Sequence, residues 1–204
     1  LYVAHSNDQR VVLRPQISYA NKFGKHDVGA LFLYEQTTYT SESMNAGRRD
    51  FPVFDLPELN FGDPTTATNA SSSGKSAFAG FVGRLNYAYD DKYLIEASFR
   101  YDGSYLFHKD HRWGFFPSVS VGWVMSQEDF FQSALPKIEY FKLRGSIGTL
   151  GNDNVTAFLY RKQVAYNASS VAFGSTPASQ GTLSNSVAFP FEDLTWERTR
   201  TYDI

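Results

Sequence analysis

Between Tyr93 and Asp102 the side chains alternate without a break. Tyr93, Ile95, Ala97, Phe99 and Tyr101 fall on one side, and Leu94, Glu96, Ser98, Arg100 and Asp102 on the other. A period of two fits an extended strand with one apolar face and excludes an amphipathic helix over that stretch. The pattern recurs. Phe81, Gly83, Leu85, Tyr87 and Tyr89 alternate with Val82, Arg84, Asn86 and Ala88. Trp113, Phe115, Pro117, Val119, Val121 and Trp123 alternate with Gly114, Phe116, Ser118, Ser120 and Gly122, and Phe141, Leu143, Gly145 and Ile147 with Lys142, Arg144, Ser146 and Gly148. Asp90-Asp91-Lys92 joins the first two as a hairpin. Upstream, Val11, Leu13, Pro15, Ile17 and Tyr19 make another such set; a turn over 21–27 leads to a strand from Val28 to about Tyr39. A last strand starts at Thr195. Neither Leu31-Phe32-Leu33 nor the last strand discloses its apolar face.

That makes about seven antiparallel strands, most near the length that tilted membrane-spanning strands need. Their connections alternate. Residues 21–27 and 90–92 are short, whereas 40–75, 103–112 and 151–193 lie at the opposite end, two of them long. Loops that long are foreign to a compact domain and normal at the outer rim of an outer-membrane barrel. Ser126-Gln127-Glu128-Asp129 before Phe130-Phe131 has the form of a cap on one helical turn.

Composition narrows the function classes. Aromatic residues are 17% of the 204 residues, yet mean hydropathy is −0.35, so the rings stand among polar residues. Tyr87, Tyr89, Tyr93 and Trp123 gather at one strand end and Tyr101 and Trp113 at the other, as in the interfacial girdles of a membrane barrel. A net charge of −2 offers no polybasic arm for nucleic acid. With no cysteine, thiolate metal sites and cysteine nucleophiles are excluded. Arg84, Glu96, Arg100, Asp102, Lys142 and Arg144 fall on the polar face, which suits a wet lumen better than a dry sandwich interior. No catalytic, metal or cofactor site is expected. Two of the three adjacent carboxylate pairs fit turns or caps, no nucleophile elbow or phosphate loop is present, and His108 and His111 share a tight loop near Asp102 whose geometry the sequence does not fix as a metal site. Phe51, Phe54, Phe61, Tyr105, Phe107, Tyr160 and Tyr166 lie near the expected rims, placed either to stack on substrate or a lid, or to pack loop on loop.

The blocks Gly83-Arg84-Leu85-Asn86-Tyr87-Ala88-Tyr89, Lys92 to Ser98, Asp102-Gly103-Ser104 and Arg112 to Trp123 stand in a fixed order. Lys142 to Gly148, Gly151-Asn152-Asp153 and Leu194-Thr195-Trp196-Glu197 follow them. This ordered set resembles the SusC/RagA-type TonB-dependent outer-membrane transporters over residues 83–204. Two departures, Tyr105-Leu106-Phe107 and Phe189-Pro190, fall in or beside outer loops. The resemblance implies an all-β fold: a segment of an antiparallel up-and-down transmembrane β-barrel of about 22 strands, closed by an N-terminal plug outside this chain. It also implies bacterial outer-membrane location among lipid and lipopolysaccharide, and import of oligosaccharide or peptide. A SusD-like surface lipoprotein and the TonB complex would be its partners. The competing expectation is a soluble carbohydrate-binding β-sandwich, which would bury one face and keep a polar one in water.

Overall fold

The computed structural model describes residues 1–52, 55, 58–172, 180–188 and 190–204; in the strands at 163–172 and 180–188 it describes the backbone alone. Among the described residues ten strands form, in the order β1 (Tyr2–Leu13), β2 (Gln16–Phe23), β3 (His26–Gly47), β4 (Thr68–Tyr89), β5 (Tyr93–Ser104), β6 (Trp113–Val124), β7 (Lys142–Asn152), β8 (Gln163–Ala172), β9 (Gln180–Ala188) and β10 (Glu197–Asp203). One short helix, α1 (Asp129–Ala134), lies between β6 and β7. An eight-stranded sheet runs β1-β3-β4-β5-β6-β7-β10, with β2 also on β3, and β8 pairs with β9 in a separate hairpin. No helix among the described residues is long and apolar enough to cross a membrane.

By contacts the chain divides into two compact units, one of residues 1–15 and 35–79, the other of 16–34 and 80–204. In the first, β1 lies antiparallel to the second half of β3, from Tyr2 opposite Gly47 to Leu13 opposite Gln36. Two 3-10 turns, Leu59–Phe61 and Pro64–Thr66, follow; the Asp63 carboxylate caps the second by accepting from the Thr65 amide at 2.8 Å.

The second unit carries the hairpins expected from alternation. Asp90 and Asp91 both take left-handed backbone, at φ 54° and 56°, and the Lys92 amide closes on the Tyr89 carbonyl at 3.0 Å. That is the turn whose twist matches a two-residue hairpin, and aspartate tolerates it better than most side chains do. The turn expected over 21–27 is tighter, with Phe23 opposite His26. Val11–Tyr19, expected as one strand, is interrupted at Arg14-Pro15, since proline brings no amide to the ladder.

Both stretches expected as long loops contain strand. Within 40–75 the ladder continues to Gly47 and resumes at Thr68, leaving 48–67 as the connection, and 151–193 contains the β8–β9 hairpin. The reason is that Ser, Thr and Asn on both faces leave no apolar alternation, while the backbone ladder forms all the same. Buried apolar side chains among the described residues are few: Phe107, Phe116, Val124, Phe131 and Trp196. They lie toward the strand ends and in the connections, and the middle of the sheet has no covered apolar face.

Candidate functional site

The ladder puts unlike chemistry on the two faces of the second unit. Across β5 and β6, Tyr93 stands opposite Trp123, Ile95 opposite Val121, Ala97 opposite Val119, and Tyr101 opposite Phe115. The same face continues through Ile147 and Leu143 on β7, opposite Val119 and Trp123. It reaches Tyr202 on β10, which stands opposite Ile147. On the far side, Phe32 opposite Ile17 and Ala30 opposite Tyr19 extend it, and Phe32 meets Phe81 at 6.2 Å. The two strands whose facing the sequence left open are thereby oriented. Phe32 lies on the apolar face with Leu31 and Leu33 on the other, and Tyr202 is apolar-side while Asp203 accepts from Ser146 Oγ at 3.3 Å on the polar side. The face is uncovered: Ile17 is 71% and Val121 54% exposed.

Aromatic rings bound this face at both ends. At the turn end, His26 lies 5.0 Å from Tyr89, Tyr89 6.4 Å from Tyr93, Tyr93 6.5 Å from Trp123, and Trp123 6.2 Å from Phe130. At the other end, Tyr34, Phe81, Trp113 and Tyr101 form a second chain of rings with centroids 4.9–6.2 Å apart. Glu128 fixes the first band. Its carboxylate accepts from the Tyr93 hydroxyl at 2.7 Å, Trp123 Nε1 at 3.1 Å and Lys92 Nζ at 3.4 Å. Those donors, Tyr93 foremost, hold its carboxyl below the usual range. Its side chain does not cap α1, the role expected for this segment. Two further ion pairs, Lys25 to Asp90 at 2.9 Å and Lys22 to Asp91 at 3.1 Å, tie neighbouring turns together.

Arg84, Glu96, Arg100, Asp102, Lys142 and Arg144 all fall on the opposite face, in two groups. Glu96, Lys142 and Arg144 line an open concavity of about 730 Å³ with Asp27, Asn86 and Asp203. Arg84, Arg100 and Asp102 share a second one with Glu96. Arg100 clasps Asp102 with two bonds, Nε to Oδ2 at 2.9 Å and Nη2 to Oδ1 at 3.1 Å, a bidentate geometry that orients both groups. Asp27 falls within the turn expected over 21–27, and Asp203 on a strand whose facing the sequence left open, so neither stood out before the ladder placed them.

The rim aromatics separate. Phe107 is fully buried, 5.5 Å from Trp196, so its ring serves packing and is closed to any substrate or lid. Tyr105 meets Phe158 edge-on at 5.8 Å, and Tyr160 lies 6.3 Å from Phe158, so the structure brings Tyr105 and Tyr160 together through a residue the sequence did not single out. Phe51 lies over Gly62, and Phe61 is exposed. Phe54 lies outside the described residues, and Tyr166 is on β8, where side chains are not described. His108 and His111 stand beside different carboxylates, Asp110 at 3.2 Å and Asp193 at 3.7 Å. Among the described residues no three His, Asp or Glu side chains are grouped to hold a metal.

An antiparallel sheet with one bare apolar face between two aromatic bands and one charged face is the wall of a β-barrel rather than a half-sandwich. No family model matches the chain. Over 201 residues it is 26% identical to TonB-dependent receptor P3 of Formosa agariphila, a match covering 98% of this chain and 20% of that protein. TonB-dependent receptor P26 of the same organism is 36% identical over 147 residues, 72% of this chain and 14% of the relative. TonB-dependent receptor SusC of Bacteroides thetaiotaomicron is 35% identical over 132 residues, 63% and 13% of the two chains. The fold superposes on the RagAB peptide importer in its closed-closed state with a TM-score of 0.82 at 21% identity, over 98% of this chain and 22% of that one. The open-open state gives 0.75. In sequence the chain is similar to the TonB-dependent receptors, SusC among them, and in fold to a segment of the RagAB importer; it spans about a fifth or less of the length of the curated relatives it matches.

Proposed function

We propose that this chain supplies part of the wall and rim loops of an outer-membrane, TonB-dependent nutrient importer, without a catalytic step of its own. The observation that carries the reading is the bare apolar face bounded by aromatic bands at both strand ends. In water it is a liability; in a bilayer it is the outer surface of a barrel. Arg84, Glu96, Arg100, Asp102, Lys142 and Arg144 then line the hydrated interior. The connections within 40–75 and 151–193, with Phe51, Phe54, Phe61, Tyr105, Tyr160 and Tyr166, meet substrate or a SusD-like surface lipoprotein. TonB acts through a plug outside this chain. The cargo is an oligosaccharide or a peptide; RagAB is a peptide importer. A soluble carbohydrate-binding sandwich is disfavoured because neither face is covered and the outward one is apolar.

The test is an immunoblot of source-cell fractions with an antibody against residues 76–150. A heat-modifiable outer-membrane band far larger than 23.0 kDa is the expected result. A soluble band at that mass would sink the reading.

A further inference from the structure

Three connections of the second unit knot together beyond β5 and β7: 105–112, 153–162 and 190–196. The knot is built rather than loose. Trp196 Nε1 donates to the Arg112 carbonyl at 2.8 Å, Thr195 Oγ1 to the His111 carbonyl at 3.1 Å, and the Phe191 amide to the Leu159 carbonyl at 3.0 Å. Phe107 fills its interior against Trp196. On this base sits a concavity of about 360 Å³ lined by His108, Lys109, Arg112, Tyr160, Arg161 and Glu192.

Its charges are unbalanced. Three permanent cations face one carboxylate, and among the described side chains none of Lys109, Arg112 and Arg161 is in an ion pair. Among the described residues Arg112 Nε is buried with no acceptor, the kind of donor a folded protein normally satisfies. Arg161 holds its guanidinium over the rings of Phe158 and Tyr160, 5.4 and 5.5 Å from their centroids. That placement keeps the charge in position while leaving its edge donors unpaired. Phe158 has φ 63°, a backbone state uncommon for a bulky residue, and its ring is 39% exposed beside Tyr105.

We propose that this concavity is a subsite for an acidic sugar unit, a pyranose bearing a carboxylate or a sulfate. The anion meets Arg112, Lys109 and Arg161, and the apolar face of the sugar ring lies along the exposed edge of the Tyr105, Phe158 and Tyr160 cluster. A carboxylate or sulfate alone would need only the cations; the aromatic rim is what selects a ring-bearing anion. The inference rests on the importer reading and narrows its cargo.

The test is calorimetric titration of the whole detergent-extracted protein with a uronate tetrasaccharide, a sulfated tetrasaccharide, maltotetraose, inorganic sulfate and triglutamate. At least one acidic tetrasaccharide should bind about tenfold or more tighter than maltotetraose at low salt, and the advantage should shrink as salt rises. Arg161→Gln and Arg112→Gln should each remove about tenfold of that advantage, while Arg161→Lys keeps part of it. Retention of the heat-modifiable band identifies the variants that are folded. Equal binding of neutral and acidic sugars, sulfate or triglutamate binding as tightly as the acidic sugar, or folded variants with unchanged affinity would each overturn the proposal. A protein that sits in the outer membrane and ignores acidic sugars refutes the subsite alone; a soluble 23.0 kDa species refutes the importer reading beneath it.

Discussion

Arginine placed at successive outward positions of β6 should weaken the inserted sheet by an amount set by depth. Trp113 and Trp123 carry the two aromatic bands on this strand. The strand between them covers about 33 Å, or about 25 Å along the barrel axis at a tilt near 40°, the height of a barrel's apolar band. Its midpoint is Ser118, which faces the charged side. Val119 therefore lies about 2–3 Å from the centre of the bilayer and Val121 about 7–8 Å. Val119 is 44% exposed, and its cross-strand neighbours Ala97 and Ile147 offer an introduced guanidinium no partner. Val119→Arg should cost about 2–4 kcal/mol and Val121→Arg about 1–2 kcal/mol, because the penalty falls to about 0–1 kcal/mol at the interfaces. The first figure corresponds to a loss of about 30- to 1,000-fold in the folding equilibrium. Ser120→Arg is the internal control: it points to the other face, opposite Glu96, and should change stability by about 0.5 kcal/mol or less. The assay is equilibrium urea unfolding of the whole protein in phosphatidylcholine vesicles, read by the unheated gel shift. Equal costs at all three positions, or the largest cost at Ser120, would refute the assignment of faces.

Three other changes probe separate parts of the structure. Gly151→Ala places a Cβ in collision with Phe116 Cζ, and that ring is buried 5.2 Å from Trp196, so it has little room to yield; a loss of about 1–3 kcal/mol is expected, partly restored by Phe116→Leu. Trp196→Phe keeps most of the packing and drops the bond to the Arg112 carbonyl, for about 1 kcal/mol, whereas Trp196→Ala should cost about 3–5 kcal/mol; both are read from urea midpoints. Glu128→Gln should lower the unfolding temperature above pH 4.5 and make little difference well below it. The carboxyl is held below its ordinary value of 4.5 in the folded protein, so its contribution is complete above that value and fades as pH falls through the folded one. An unfolding-temperature gap between the two proteins that widens toward acid would contradict this.

How far the sequence could be read depended on whether a strand has two unlike faces. β5 and β6 could be placed nearly to the residue because Ile95, Phe99, Val119 and Val121 oppose Glu96, Arg100, Ser118 and Ser120 across each backbone. The same contrast put all six charged candidates on one face. Where it is missing, the reading stopped short. Ser71-Ser72-Ser73 has the composition of a linker yet belongs to β4, with Ser72 Oγ 2.7 Å from Ser43 Oγ on β3. His5 to Arg10 is likewise polar on both sides and is strand. In such stretches the backbone ladder, which composition does not report, supplies the structure. Long-range packing was the other blind spot. Phe107 looks like a rim aromatic until Trp196 folds over it. Glu128 looks like a helix cap until hairpin register brings Tyr93 and Trp123 to its carboxylate.

The distribution of burial also fixes where this segment gets its stability. A soluble domain of this size would place its largest apolar side chains in one interior. Here Phe107, Phe116 and Trp196 meet at one end of the sheet and Val124 and Phe131 at the other, while Ile17, Ile95, Val119, Val121 and Ile147 between them stay bare. Packing thus locks the rims, where turns, ring bands and ion pairs converge. Between the rims the strands hold one another through the ladder and need an apolar solvent on one side. That division explains why a charge at Val119 should be costly although the residue has no protein core to disturb. It also explains why Trp196, far from the bilayer centre, should be the most sensitive aromatic to truncate. The two losses should add, because one site is set by lipid and the other by protein packing, and the residues share no partner. A Val119→Arg/Trp196→Phe double variant that falls outside the sum by more than about 0.5 kcal/mol would mean that rim and wall are coupled after all.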